Sequence, residues 1–172
     1  MQTVDPSKIN LIPQFLVDKI MANARKAAAK AEREIWPYQM DVMRDIYDDA
    51  VYHFYADYTP TVYERKYSLF NGGADGDGLL DVDDEALTFW FESDNITPTR
   101  GGDHEFIYDI VFHQGYHGGN KDHIWPWVHD KAEKSKPIYS TIEKEYYAAV
   151  EKKLQPKMND ILMKHMSGMS LF

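Results

Sequence analysis

The stretch YQMDVMRDIYDDAVYHFYADY, residues 38–58, carries the strongest amphipathic pattern in the chain. Its apolar residues recur at the i, i+3, i+4 and i+7 spacing of a single helix face. They are Met40, Met43, Ile46, Tyr47, Ala50, Val51 and Phe54. The spacing predicts a helix from about Tyr38 to Tyr55. A methionine and aromatic stripe at this spacing is typical of a core-facing surface rather than of a cofactor site.

The preceding stretch, PQFLVDKIMANARKAAAKAEREIW (residues 13–36), also predicts a helix, because proline occupies its first turn and alanine favours helix. Pro37 is expected to break or kink the helical run, which predicts two N-terminal helices. Between Ala22 and Ala31 the residues are small or charged. This part is either solvated or packed closely against another backbone. Residues 1–12 are expected to form an N-terminal arm.

Alternating residues downstream predict strands. Thr59-Pro60 ends the helical run, because a residue before proline avoids the helical region. Period-two alternation then predicts strands over Tyr63–Leu69 and over ALTFWFES, residues 86–93. In the second strand, one face should carry Leu87, Phe89 and Phe91, and the other Thr88, Trp90 and Glu92. The acidic segment between the two strands, residues 74–85, is predicted to be a loop.

The C-terminal part of the chain predicts another long helix. It runs from about Pro137 to Met166, and Pro156 should kink it. Segregated helices and strands indicate an α+β fold with a small antiparallel sheet, long loops and a long C-terminal helix packed on the sheet. The expected organisation is an arm over residues 1–12, a single domain over 13–166 and a tail over 167–172.

The composition limits the class of protein. The chain has 172 residues, of which 44% are hydrophobic, enough for one domain with a core. Its net charge of -9 argues against a protein that grips nucleic acid, although DNA that slides past without sticking is compatible with it. Cysteine is absent, which excludes disulfides and thiolate chemistry. Without a signal peptide or an apolar run of roughly 18 residues, we expect a soluble protein made in a cytoplasm, with no membrane partner.

Alternating carboxylates in the segment Asp75–Glu85 resemble half of a calcium loop. A complete EF-hand frame starting at Asp75 fails, because Leu80 stands where glycine is needed and Ala86 where glutamate is needed. The alternative interpretation is a solvated hairpin loop whose aspartates and glycines satisfy turn geometry. Both interpretations remain open from the sequence.

A second candidate metal site lies in HQGYHGG, where His113 and His117 are four residues apart. On a helix this spacing would place two imidazoles on one face. Gly115 lies between them, and Gln114 stands where a zinc-protease motif needs glutamate. Surface or interface histidines in a loop are the alternative. No nucleophile, phosphate-loop or dinucleotide motif occurs, so no catalytic, metal or cofactor residue is assigned.

Several segments together resemble a family of neck and tail-completion proteins of tailed bacteriophages, which act in head–tail joining or as minor tail components. YTPTVYERKYSLFN is similar to the family's strand entry after the helical region, and ALTFWFESDN to its next strand. EFIYDIVFHQGYHGG is similar to its tyrosine and glycine segment, and KPIYSTIEKEYYAAVEKKL to its proline-led final helix. The resemblance covers about residues 37–166.

The resemblance implies a structural virion protein and not an enzyme. Such proteins form rings, with a hexamer favoured, between head-connector and tail proteins, and DNA passes through the channel without specific binding. Residues 58–73 would form the elbow between helix and sheet. The predicted interface residues are Tyr58, Tyr63, Arg65, Tyr67, Trp125 and Trp127. Two other hypotheses remain: a metal-dependent enzyme that uses His113 and His117, and a small monomeric protein-binding module.

Overall fold

The structure of the chain is a computed structural model, which describes residues 13–57, 79–92, 108–117, 133–134 and 136–168. This part is mostly helical, with small antiparallel strand pairs and a C-terminal helix, as expected for an α+β protein. In chain order the elements are α1 (Gln14–Ala56), β1 (Leu80–Asp83), β2 (Thr88–Phe91), a π-helical turn (Asp109–His113), β3 (Tyr116–His117), β4 (Glu133–Lys134), α2 (Ile138–Ala149), a second π-helical turn (Val150–Leu154) and α3 (Gln155–Ser167).

The N-terminal helical region is one helix rather than two. α1 runs without interruption through Pro37, so the prediction that this proline separates two helices is wrong. A proline inside a helix costs about 3 kcal/mol, because it lacks an N–H and crowds the preceding turn. Here Ile35, Trp36 and Met40 are all buried around it. Burial of each such side chain contributes about 1.5–3 kcal/mol, so their packing outweighs the local cost.

The predicted core stripe of α1 is confirmed. Six of its seven residues are buried, and Ile46 is half-buried against the same core. The main core forms where this stripe meets the β1–β2 hairpin, the Asp109–His113 turn and α2. The core members outside α1 are Leu79, Leu80, Phe112, Ile138 and Ile142.

β1 and β2 form an antiparallel hairpin in which Leu80 pairs with Phe91 and Asp83 with Thr88. The predicted second strand is confirmed over a shorter span, with Phe89 half-buried and Trp90 exposed. The predicted loop is wrong over β1, which is a strand. Its acidic residues sit beside Leu80 and Val82, which pack on the core, so burial of these apolar side chains outweighs the poor strand propensity of aspartate. The predicted strand Tyr63–Leu69 lies outside the described residues.

α2 and α3 lie antiparallel along α1. Ile161 of α3 packs with Ala31 and Ile35, whereas Ala149 and Leu154 pack with Val42 further along α1. The π-helical turn Val150–Leu154 joins the two helices and ends two residues before Pro156, where the sequence predicts a kink. Wider turns accommodate positions at which the regular hydrogen-bond ladder is interrupted.

The alanine-rich part of α1 is closely packed rather than wholly solvated. Ala27 and Ala31 are both fully buried, and Ala31 packs with Ile161 of α3. Small side chains let two helix backbones approach closely. Of the two possibilities that the sequence leaves open, solvated or closely packed, the second therefore holds at Ala27 and Ala31. Among the helices of the described residues, none is long and apolar enough to cross a bilayer.

Candidate functional site

The predicted interface residues all lie outside the part of the chain that the structure describes, so these assignments stay predictions. They are Tyr58, Tyr63, Arg65, Tyr67, Trp125 and Trp127. The described surfaces include the acidic hairpin, an aromatic cluster beside it and the exposed sides of α1.

Two carboxylates of the acidic segment, those of Asp83 and Asp84, accept hydrogen bonds from the protein itself. Oδ1 of Asp83 accepts hydrogen bonds of 2.9 Å from the backbone N–H groups of Glu85 and Ala86. Oδ1 of Asp84 accepts a 2.7 Å hydrogen bond from the indole N–H of Trp36. The turn then closes at Leu87, which has a φ of 54°. These two side chains therefore hold the turn and tie it to α1. Asp75 and Asp77 lie outside the described residues.

His113 and His117 do not share a helix face. The π-helical turn ends at His113, Gly115 has a φ of 75°, and His117 belongs to strand β3. A positive φ of this size favours glycine and reverses the chain, so the helical spacing that would align the two imidazoles is lost. In the described ranges, no group of three or more histidine, aspartate or glutamate side chains is placed to hold a metal ion.

An aromatic cluster forms where the hairpin, the Asp109–His113 turn and α2 meet. The ring of Phe112, which is fully buried, lies 5.0 Å from Phe91, 4.9 Å from Tyr108 and 5.8 Å from Tyr139 between centroids. The exposed ring of His113 lies 4.9 Å from Tyr139. Burial raises the pKa of Tyr108 to about 12. The cluster presents the partly exposed Tyr139 and His113 at the surface.

A second buried tyrosine joins α1 to the start of the hairpin. The hydroxyl of Tyr47 accepts a 3.0 Å hydrogen bond from the backbone N–H of Leu79, and its ring stacks on Phe91 at 6.0 Å. Burial raises the pKa of Tyr47 well above its usual value. Tyr47 thus stays neutral and satisfies a buried backbone donor, which is a structural role.

Two ring contacts link the hairpin to the other helices. Phe89 lies 6.4 Å from Trp36 of α1 and 5.7 Å from Tyr146 of α2 between ring centroids. The hydroxyl of Tyr146 in turn accepts a 2.8 Å hydrogen bond from the side-chain amide of Gln39. Burial raises the pKa of Tyr146. These contacts hold one side of the hairpin in place and leave Trp90 on the other side exposed.

The end of α3 is held to α1 by one carboxylate. Oε1 of Glu34 lies 2.8 Å from Nζ of Lys164, and Oε2 lies 2.8 Å from Nε2 of His165. Hydrogen bonds from Lys164 and His165 lower the pKa of Glu34. Since α3 runs antiparallel to α1 and ends at Ser167, its last turn lies level with about residue 30 of α1.

The amino-terminal part of α1 continues past that level. Residues 14–26, here called the α1 extension, span about 20 Å, and none of them is buried. Phe15 is 67% exposed, Met21 51% and Ile20 41%. Ile20 and Ala24 continue the line of the buried Ala27 and Ala31 at helical spacing. Val17, Ile20 and Met21, at i, i+3 and i+4, are exposed on one side of the extension, whereas Phe15 is exposed on the opposite side.

The chain matches no protein-family model, no curated protein and no solved structure. The candidate site is therefore defined by geometry alone, as the exposed apolar side of the α1 extension. The sequence predicts a helix that contains Phe15 and Ile20. Their exposure was not predictable, because it depends on where α3 ends relative to α1. Tyr139 was missed because it neighbours the core residue Ile138, and only the tertiary contacts bring it to Phe112 and His113.

Proposed function

We propose that the chain is a non-enzymatic structural protein of a tailed-bacteriophage virion, a neck or tail-completion component that forms a ring at the head–tail junction. The family resemblance suggests this role, and the α1 extension is the observation that carries it. Three apolar side chains are exposed on one side of it, at Val17, Ile20 and Met21. Their burial against a neighbouring subunit would contribute about 1.5–3 kcal/mol for each side chain.

In the proposed ring, the C-terminal helix packs on the sheet and braces it, while the α1 extension reaches a neighbouring copy. Two aromatic contacts within the chain, Phe89–Tyr146 and Phe91–Tyr139, support the packing of this helix on the sheet. The net charge of -9 suits a channel through which DNA passes, since like charges repel over a Debye length of about 8–10 Å. Head-connector and tail proteins are the proposed neighbours along the channel axis.

The test is the mass of the purified full chain, measured by light scattering over a range of concentrations. A hexameric ring has a mass of about 120 kDa, six times the 20.0 kDa of one chain. Ile20→Glu should prevent assembly, because a charge cannot be buried in an apolar contact without a partner. Tyr147→Glu is the matched control, since Tyr147 is 65% exposed on α2, away from the extension.

A chain that stays monomeric when mixed with head-connector and tail proteins contradicts the proposal. Detection of the chain in purified phage particles would support it independently of the mass. A metal assay on the same sample addresses the hypothesis of an enzyme based on His113 and His117, which requires stoichiometric metal that is lost in His113→Ala.

A second candidate function is a monomeric protein-binding module. The observation that favours it is the exposed Trp90 on the outer side of the hairpin, which is 44% exposed. This function predicts a monomer that binds a protein from outside the virion. Trp90→Ala should then abolish binding, whereas Ile20→Glu should have no effect on it.

A further inference from the structure

The apolar side of the α1 extension, formed by Val17, Ile20, Met21 and Ala24, lies on the side of α1 that α3 covers further along the helix. Ala31 is fully buried and packs with Ile161 of α3. Ala24 and Ile20 lie about two and three turns before Ala31, so their side chains point the same way around the helix axis. α3 therefore covers one part of this side of α1 and leaves the apolar side of the extension exposed beyond its end.

α3 ends close to the apolar side and runs toward it. Ile161 packs with Ala31 and Ile35, and the helix ends at Ser167 with Gly168 as its C-cap. The two helices are antiparallel and each rises about 1.5 Å per residue, so Gly168 lies level with about residue 26 of α1. The backbone that leaves Gly168 therefore starts at the edge of the apolar side, and α3 points toward the amino-terminal end of α1.

The next four residues, the segment 169–172, match the apolar side in length and in chemistry. They read Met-Ser-Leu-Phe and lie outside the described residues. Four extended residues span about 13–14 Å, which is the distance along α1 from about residue 26 to about residue 17. Met169, Leu171 and Phe172 are large and apolar, and no side chain in residues 166–172 is charged. The segment can therefore reach every residue of the apolar side.

We propose that the segment 169–172 packs along the apolar side of the α1 extension in the same chain, and that it must leave before a neighbouring subunit can bind there. In this arrangement Leu171 lies level with Ile20 and Met21, about 10 Å beyond Gly168. The contact within the chain does not depend on the proposed ring. The competition with a neighbouring subunit rests on the proposed function and adds a control of assembly to it.

The direction of the chain favours this segment over residues 1–12 as the occupant. Residues 1–12 join the extension at its other end, through Pro13, and would have to reverse direction to lie along it. The segment 169–172 needs no reversal, because α3 already runs antiparallel to α1. Residues 1–12 would also bring the charged side chains of Asp5 and Lys8 to an apolar surface, where an unpaired charge is costly.

Cysteine cross-linking of the full chain with a mild oxidant tests the contact, because the natural chain contains no cysteine. The double variant Ile20→Cys/Leu171→Cys should form a disulfide at a rate independent of protein concentration, in a product with the mass of one chain. Ala22→Cys/Leu171→Cys is the matched control, since Ala22 is exposed at nearly the same level but on the opposite side of the helix. It should cross-link roughly tenfold more slowly, because a disulfide needs Cα atoms within about 7 Å of each other.

Removal of the segment tests the competition. A chain that ends at Gly168 keeps all the described residues and should assemble at a roughly tenfold lower concentration, if covered chains outnumber open ones by about ten to one. Light scattering measures the change. Leu171→Glu in the full chain should act in the same way, because a charge is not readily buried on an apolar surface. Ser170→Glu is the control with the same change in charge, and its side chain points the other way in an extended segment.

Several results would overturn the contact. Equal cross-linking of Leu171→Cys to Ile20→Cys and to Ala22→Cys would do so, and a product with the mass of two chains would place the segment on a neighbouring copy. Cross-linking of Ile20→Cys to Ile9→Cys instead of Leu171→Cys would identify residues 1–12 as the occupant.

The contact and the ring can fail separately. A ring that forms without selective cross-linking would overturn the contact and leave the proposed function intact. Selective cross-linking in a chain that forms no ring, with or without residues 169–172, would support the contact and count against the ring. Assembly that is unchanged by removal of the segment would overturn the competition.

Discussion

The indole N–H of Trp36 donates a 2.7 Å hydrogen bond to Oδ1 of Asp84, which ties the middle of α1 to the turn of the β1–β2 hairpin. Trp36 is buried, so Asp84→Ala leaves its indole donor without a partner. We expect a loss of about 1–3 kcal/mol in the free energy of unfolding. Urea unfolding followed by tryptophan fluorescence measures it. Glu85→Ala, one residue further along the exposed turn, should change stability by less than about 0.5 kcal/mol.

The hydroxyl of Tyr47 provides a second test of the contact between α1 and the hairpin. Tyr47→Phe keeps the ring that stacks on Phe91 but removes the acceptor for the buried N–H of Leu79. The free energy of unfolding should fall by about 1–3 kcal/mol. Tyr52→Phe, on the exposed side of the same helix, is the matched control. Equal stabilities of the two variants in urea would contradict the structural role of the buried hydroxyl.

The close contact between α1 and α3 predicts an intolerance of larger side chains. Ala31 is fully buried and packs with Ile161, so Ala31→Leu should force the helices apart. We expect a cost of about 1–3 kcal/mol from overpacking. Ala29→Leu, on an exposed side of the same alanine-rich segment, should be nearly neutral because leucine and alanine are both good helix formers. Thermal unfolding of the two variants distinguishes a buried from a solvated segment.

Glu34 predicts a pH-dependent attachment of α3. Hydrogen bonds from Lys164 and His165 lower the pKa of Glu34 below its usual value of 4.5. A carboxyl with a lowered folded-state pKa stabilises the fold above the unfolded-state pKa, and the stabilisation is lost as the pH falls through the folded-state pKa. Protection of the α3 amides from hydrogen exchange should therefore fall below about pH 4.5. In Glu34→Gln this dependence should be absent; an unchanged profile would contradict it.

The half-buried Tyr108 should make the fold less stable at alkaline pH, whereas Glu34 does so at acidic pH. Burial raises the pKa of Tyr108 to about 12, whereas a tyrosine in the unfolded chain has its usual pKa of 10.0. Between these values the unfolded chain loses the proton first, so the contribution of Tyr108 to stability declines as the pH rises through this range. In an absorbance titration, Tyr108→Phe should reduce the late-ionising tyrosine signal, part of which remains because the pKa values of Tyr47 and Tyr146 are also raised. The exposed Tyr147 provides the control, because Tyr147→Phe should leave the late step in place.

The parts of the fold that the sequence predicts well are those in which one periodic pattern decides the structure. The apolar residues of α1 from Met40 to Phe54 repeat strongly enough to define both the helix and its buried face. Phe89 and Trp90 likewise show their opposite faces through simple alternation. Each of these signals lies within a single element, where spacing alone determines which side chains point the same way.

The errors arise where tertiary packing overrides a local preference. Pro37 lies inside a continuous helix because the buried residues around it outweigh its cost. Asp81 and Asp83 belong to a strand because Val82 between them packs on the core. The candidate site could not be predicted from the sequence, because it too depends on tertiary packing. The exposure of Ile20 depends on where a helix more than a hundred residues later comes to an end.

The π-helical turn before Pro156 determines the direction in which the side chains after it point around the helix axis. Ala149 and Leu154 both pack with Val42, although they are five residues apart and would differ by about 140° around a regular helix. The wider turn absorbs one additional residue and restores the orientation of everything that follows. Deletion of a single residue from this turn would leave two intact helical segments but rotate Ile161 away from Ala31 and Ile35 of α1. The number of residues in this turn therefore sets which side chains after it face α1. An insertion or deletion here would change the buried residues of the whole following helix.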